Sequence, residues 1–232
     1  DVDKPEPRLA EHARPPAETT QRKAKRGSTE SRRWIRAQLS NQEMRNAQLV
    51  GVNPEFVEWL RDLADRESFV SLLRLPERDK ERMYDEELVL RFLFIHAKHD
   101  DEISRIRNFQ DELEDFALTL ALEFRDDQRA ELTRVFETTF DLLQQADEDV
   151  LRRWDSSKQM FVGGFLNTSF EAIGMGLGFH IANGNKYRTD IKEAASELWA
   201  QPDMTRKFAT GKSTEARLRL MVPKGRAILL QH

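Results

Sequence analysis

The chain has 232 residues, enough for one sizeable domain or two small ones, and 34% of them are charged. Only ten Gly and eight Pro are too few for the tight turns of an all-β domain this long, whereas abundant Leu, Glu, Arg and Ala favour helices. The absence of cysteine excludes a disulfide framework and any thiolate metal site. No apolar run reaches the ~20 residues of a membrane span, and the N-terminus is charged and Pro-rich where a signal peptide would be apolar, so a soluble cytoplasmic protein without membrane contact is expected.

The net charge of −4 conceals an asymmetry: residues 1–36 carry +4, residues 37–203 carry −14 and residues 204–232 carry +6. An acidic body between two basic ends suits phosphate contact at the ends, and equally suits solvated termini.

Residues 1–38 are predicted to form a disordered basic arm. Pro5, Pro7, Pro15 and Pro16 interrupt helices, and apolar residues are too sparse to bury a core. Residues 39–232 form the predicted helical domain. Ser40 or Asn41 caps a short helix ending at Gly51. Asn53-Pro54-Glu55 then starts a helix with the stripe Phe56, Trp59, Leu60, Leu63. Phe69, Leu72, Leu73 and Leu75 mark another, stopped by Pro76. Asp85 is read as the cap of the clearest helix, whose apolar face (Leu88, Val89, Phe92, Leu93, Ile95, His96) is wide enough for a central, largely buried element.

Two longer helices are expected, at about Glu102–Leu122 and Asp127–Ala146. Val150, Leu151 and Trp154 read as a helical turn, and Ser156–Gly164 as a loop. A helix capped within Asn167–Ser169 runs to Ile181. Its Gly174, Gly176 and Gly178 each cost roughly 1 kcal/mol against Ala, which suggests close approach of a neighbouring helix. Asp190 caps Ile191–Ala200, and apolar residues from Leu218 to Leu230 are interrupted by Pro223-Lys224-Gly225. The fold class is therefore all-α, an irregular bundle of about eight helices. Its core should hold Leu88, Phe92, Ile95, Trp59, Phe116 and Phe136.

Motifs for chemistry are weak. Gly174-Met175-Gly176-Leu177-Gly178 lacks both the spacing and the preceding strand of a dinucleotide loop. Gly211-Lys212-Ser213-Thr214 resembles the end of a phosphate-binding loop, but Arg206 stands where the first glycine is required, so a helix cap at Ser213 or Thr214 is expected. His96 and His99 have a metal-compatible spacing without a third histidine nearby, and read as a core and a capping histidine. No catalytic residue, metal site or cofactor is expected.

The most distinctive stretch is Leu39 to Ala47, containing Gln42-Glu43-Met44-Arg45-Asn46-Ala47, followed later by Glu87-Leu88-Val89-Leu90-Arg91-Phe92. In this order the two segments resemble the helical half of the GmrSD-type restriction family, over about residues 39–222 and best over 39–95. In that family a ParB- and sulfiredoxin-like nucleotide-binding half precedes the helical half. Its Asp–Gly–Gln–Gln–Arg motif is missing here, so neither NTPase nor nuclease activity is implied for this chain alone.

The resemblance implies a non-catalytic module of a restriction or phage-defence protein that binds DNA or a partner. Alternatives are an enzyme component whose nucleotide half comes from another chain, and a structural oligomerisation domain using Trp59 and Trp154. Partners would be DNA, or a nuclease or nucleotide-binding protein. Candidate phosphate-binding residues are Arg45, Arg206, Lys207, Lys212, Arg217 and Arg219. Arg45 has an alternative role, locking its helix to neighbouring helices.

Overall fold

A computed structural model describes residues 41–80, 83–204 and 211–231. The predicted arm, Ser40, Arg206 and Lys207 lie outside the described residues. The described residues belong to one unit, Asn41–His232. They form eleven helices and one two-stranded hairpin, so the class is all-α as expected, with more helices than the eight anticipated.

The first four helices are α1 (Asn41–Val52), α2 (Pro54–Ala64), α3 (Glu67–Leu73) and α4 (Glu77–Lys80). Asn53 caps α2, its Oδ1 accepting from the Phe56 amide at 3.1 Å with Pro54 in the first turn. Next comes α5 (Tyr84–Ile95), whose N-cap is Met83 in the left-handed region rather than Asp85. Asp85 instead accepts from the Glu86 amide at 3.0 Å.

The helix expected at Glu102–Leu122 is two: α6 (Asp100–Arg105) and α7 (Phe109–Leu122). Between them Ile106 turns extended, and Asn108 restarts the helix by capping the Asp111 amide. His99 is the N-cap of α6 in a capping box with Glu102. The long α8 spans Asp126–Ala146.

The predicted turn and loop after α8 are instead an antiparallel hairpin of β1 (Arg153–Asp155) and β2 (Met160–Val162). Trp154 faces Phe161 across it, ring centroids 5.0 Å apart. Helix α9 begins as Asn167–Ser169, widens to a π turn over Phe170–Gly174 and continues as Met175–Ala182. Its N-cap is Leu166, without a side-chain cap bond. Then come α10 (Ile191–Ala200) and α11 (Thr214–Leu229). Asp190 is the N-cap of α10 as expected, but its carboxylate accepts from Arg188 and not from a helix amide.

Helix α11 passes unbroken through Pro223 and Gly225, which separate its two groups of apolar residues. Burial explains this: Leu218, Met221, Val222 and Leu229 all lie on its inner side, and their burial outweighs the bond that Pro223 removes.

The core centres on α5, where Leu88 to Ile95 are buried except for Arg91. Phe92 meets Phe136 and Phe140 of α8 at 5.5 and 5.2 Å between ring centroids, and Phe69 of α3 joins the same two rings. Of the predicted core, only Phe116 is half-buried; Trp59 is buried and its Nε1 donates to Thr133 Oγ1 at 2.9 Å.

The α9 glycines mark the predicted close approach. A Cβ on Gly178 would fall 2.6 Å from the Phe92 ring, and one on Gly176 2.9 Å from the Gly225 carbonyl carbon. The reverse contact is tighter: a Cβ on Gly225 would lie 1.8 Å from the Ala172 oxygen, inside the π turn. Among the described residues no helix is long and apolar enough to cross a membrane.

Candidate functional site

Helix α1 places Arg45 and Asn46 on the side that faces α5. Both are buried, and both are ligated by consecutive carboxylates of α5. Arg45 Nη1 pairs with Glu87, and its Nη2 donates to Gln110 Oε1 of α7 at 3.0 Å. Asn46 Nδ2 donates to Glu86, which also receives Arg61 Nε of α2 at 3.3 Å. Glu87 accepts a second guanidinium, Arg91 Nε one turn on, at 3.1 Å. One carboxylate thus serves two arginines, which suits a site where an uncompensated charge would be costly.

A second ion pair has one buried member, Glu171. Arg217 of α11 grips Glu171 of α9 with two parallel bonds, Nε and Nη2 each at 2.6 Å from a carboxylate oxygen. Burial pushes the Glu171 carboxyl up, and Arg217 and then Arg91 oppose the shift. Burial likewise pushes Glu86 up, against Arg61. The first set of bonds ties α1, α2, α5 and α7 together and the second ties α9 to α11, with Arg91 acting on Glu171 through space.

These contacts fix where the predicted phosphate-binding residues lie. Arg45 is buried in the α1–α5 pair, which is its helix-locking role. Arg217 is committed to Glu171, and Arg219, although exposed, donates to the Ile106 carbonyl between α6 and α7. Lys212 is exposed beside Ser213, whose Oγ caps α11 by accepting from the Ala216 amide at 3.3 Å. Among the four of these cations that are described, Arg45 and Arg217 are paired inward, whereas Lys212 and Arg219 stand exposed near the start of α11.

An open cleft with charged walls lies elsewhere, between the start of α6 and the ends of α9 and α11, with a volume of about 580 Å³. Its floor is Arg226, whose guanidinium carbon stands 3.7 Å from the Phe179 ring centroid. Arg226 also pairs with Asp100 at 2.6 Å and donates to the Lys98 carbonyl at 2.6 Å, closing the C-terminal end of α5. Burial pulls the Arg226 guanidinium below its usual value, and Asp100 opposes it.

His180 lines the same cleft. A carbonyl can only accept, so its contact with the Arg226 oxygen at 2.9 Å means that Nε2 carries the proton. His99 stands at the rim, edge-on to Phe179. The recess thus has mixed walls, with Arg226 and Asp100 paired beside the apolar Phe179, Pro223 and Leu230.

His96 is a core histidine: its Nδ1–H is shared between the Phe92 and Leu93 carbonyls at 3.1 Å, and its ring stacks on Phe92. Burial pulls its pKa down to about 4. Among the described residues no three His, Asp or Glu side chains are grouped to hold a metal ion.

Sequence reasoning missed Glu86, Glu87, Gln110, Glu171 and Arg226 as the acceptors and donors of this architecture. The one available signal was the Glu87–Arg91 spacing of four, a helical ion-pair register on an otherwise apolar helix. No protein-family model, no curated protein and no solved structure matches the chain.

Proposed function

We propose that this chain is a helical binding module of a restriction or phage-defence protein of the GmrSD type, acting in the cytoplasm on DNA or a protein partner without chemistry of its own. One observation supports the reading above others. The two segments that carry the resemblance meet each other: Arg45 and Asn46 of the first are bound by Glu87 and Glu86 at the start of the second. Their unusual polar residues thus have a shared purpose, holding α1 onto the helical body.

The placement of cations favours a protein partner for that body. With Arg45 and Arg217 turned inward, affinity for DNA would reside in the basic ends. A gel shift with duplex DNA at low salt tests this. Binding should be weak, independent of sequence and steeply lost as salt rises. No shift at low salt removes the DNA version. In the alternative, a nucleotide-binding half supplied by another chain completes an enzyme; then NTP hydrolysis appears only when that partner is added. Hydrolysis by this chain alone would overturn the binding-module reading.

A further inference from the structure

Helices α1 and α7 run side by side in the same direction. Arg45 reaches Gln110 near the start of both, and Asn53, just past α1, donates from Nδ2 to the Ala121 oxygen at 2.9 Å near the end of α7. Asn46 points to Glu86 of α5, so the row Met44–Gln48–Val52 flanks Arg45 on the side towards α7. On α7 the row Gln110–Glu114–Leu118–Leu122 starts at the contact with Arg45 and turns outward with each step.

These two rows carry apolar side chains that remain substantially exposed. Met44 is 38% exposed, Val52 41%, Leu118 40% and Leu122 68%, the last being the most exposed large apolar side chain among the described residues. Exposed carboxylates surround them: Asp111, Glu114 and Asp115 along α7, with Glu55 and Glu123 at the end where Val52 and Leu122 lie. None of these five forms an ion pair among the described residues. The adjacent cations in the chain, Arg107 and Arg125, lie beyond the two ends of α7.

An apolar strip with an acidic rim selects its occupant. Phosphates are repelled by the rim, which excludes nucleic acid here. A second copy would bring the same carboxylates against these, so self-association is disfavoured as well. A helix with an apolar stripe flanked by Lys and Arg satisfies both parts at once. We propose that the α1–α7 face docks a basic amphipathic helix of a partner protein. This deepens the partner-binding reading above and rests on it.

The probe is a synthetic peptide of about five helical turns, Leu at positions i, i+3, i+4 and i+7 and Lys elsewhere. Its counterpart carries Glu in place of every Lys. Binding of each to the full chain is read by fluorescence anisotropy. The wild type should bind the Leu/Lys peptide and not the Leu/Glu peptide. Leu118→Glu with Leu122→Glu should weaken binding about 10-fold or more, as loss of a central apolar anchor does. Glu114→Lys with Asp115→Lys should weaken the Leu/Lys peptide and admit the Leu/Glu peptide. All four positions are exposed, so an unchanged thermal midpoint certifies each variant as folded.

Equal binding of the two peptides, indifference to the leucine changes, or a wild-type dimer that Leu122→Glu dissociates would overturn the proposal. No peptide binding alongside a retained DNA shift sinks this inference alone, whereas loss of both sinks the binding-module reading too.

Discussion

The contact of α9 with α11 and the contact of α1 with α5 hold helices together by opposite means. Where α9 and α11 cross, the backbones touch: Gly225 leaves no room for a Cβ against the Ala172 oxygen, and Gly176 sits against the Gly225 carbonyl carbon. Where α1 meets α5, the backbones are held through side chains, and Arg45 and Asn46 reach Glu87 and Glu86. The first contact is steric and cannot absorb an added atom. The second is electrostatic; it accommodates changes of shape but not the loss of a partner. Helix α5 takes part in the second and also packs sterically against α9, since Phe92 fills the notch at Gly178.

The largest effect is expected at the steric contact. Gly225→Ala would drive a methyl group into a backbone carbonyl, which cannot rotate away as a side chain could. Destabilisation should exceed the roughly 3 kcal/mol of ordinary overpacking. Urea denaturation should show little or no folded protein; a native-like midpoint would mean that α9 and α11 can separate without loss.

At the electrostatic contact, Glu87→Ala leaves the buried Arg45 guanidinium without its carboxylate, takes an acceptor from half-buried Arg91 as well, and should cost roughly 3–5 kcal/mol. Arg45→Met combined with Glu87→Leu removes both charges of the pair and should cost less than Glu87→Ala by itself. If the double variant is worse, the α1–α5 contact depends on shape after all, and the distinction between the two contacts fails.

A smaller effect depends on pH. In the unfolded chain His96 takes up a proton near its ordinary 6.5, but in the folded protein only near 4, because burial opposes the charge. Between those values the unfolded state binds more protons, so stability falls as the pH is lowered through this window. At about 1.4 kcal/mol per unit the full loss approaches roughly 3 kcal/mol. His96→Gln should flatten this part of the profile; the difference between the two proteins, measured by denaturation from pH 7 to 4, isolates the histidine from the carboxylates that titrate alongside it.

The smallest effect serves as the control. Gly51 lies near the end of α1 with nothing within 4 Å of an added Cβ. Gly51→Ala should therefore stabilise by up to about 1 kcal/mol, since alanine restricts the unfolded chain and favours helix. A loss instead would show that glycine in this protein is needed for more than close approach.

Much of this architecture was legible in local pattern. The stripe Phe56, Trp59, Leu60, Leu63, the cap at Asn53 and the wide apolar face of α5 predicted elements that the structure contains, because helical period and capping are short-range physics. The glycines of α9 also announced close packing, though not against which helix. Legibility ended where distance along the chain began. Arg45 and Glu87 are 42 residues apart, and Glu171 and Arg217 are 46 apart. In sequence, Glu86 and Glu87 read as charges suited to the first turn of a helix, and nothing local distinguishes an exposed carboxylate from one that is buried and paired.

The sequence by itself determined the helical class, most element positions and the acidic body with basic ends, since composition and period are properties of neighbouring residues. Only the tertiary structure decided that Arg45 and Arg217 face inward, that α11 runs through Pro223, that Trp154 lies in a hairpin, and that Leu118 and Leu122 remain uncovered. In each case the deciding energy is burial against, or separation from, residues remote in the chain. That contribution exists only once the helices have packed.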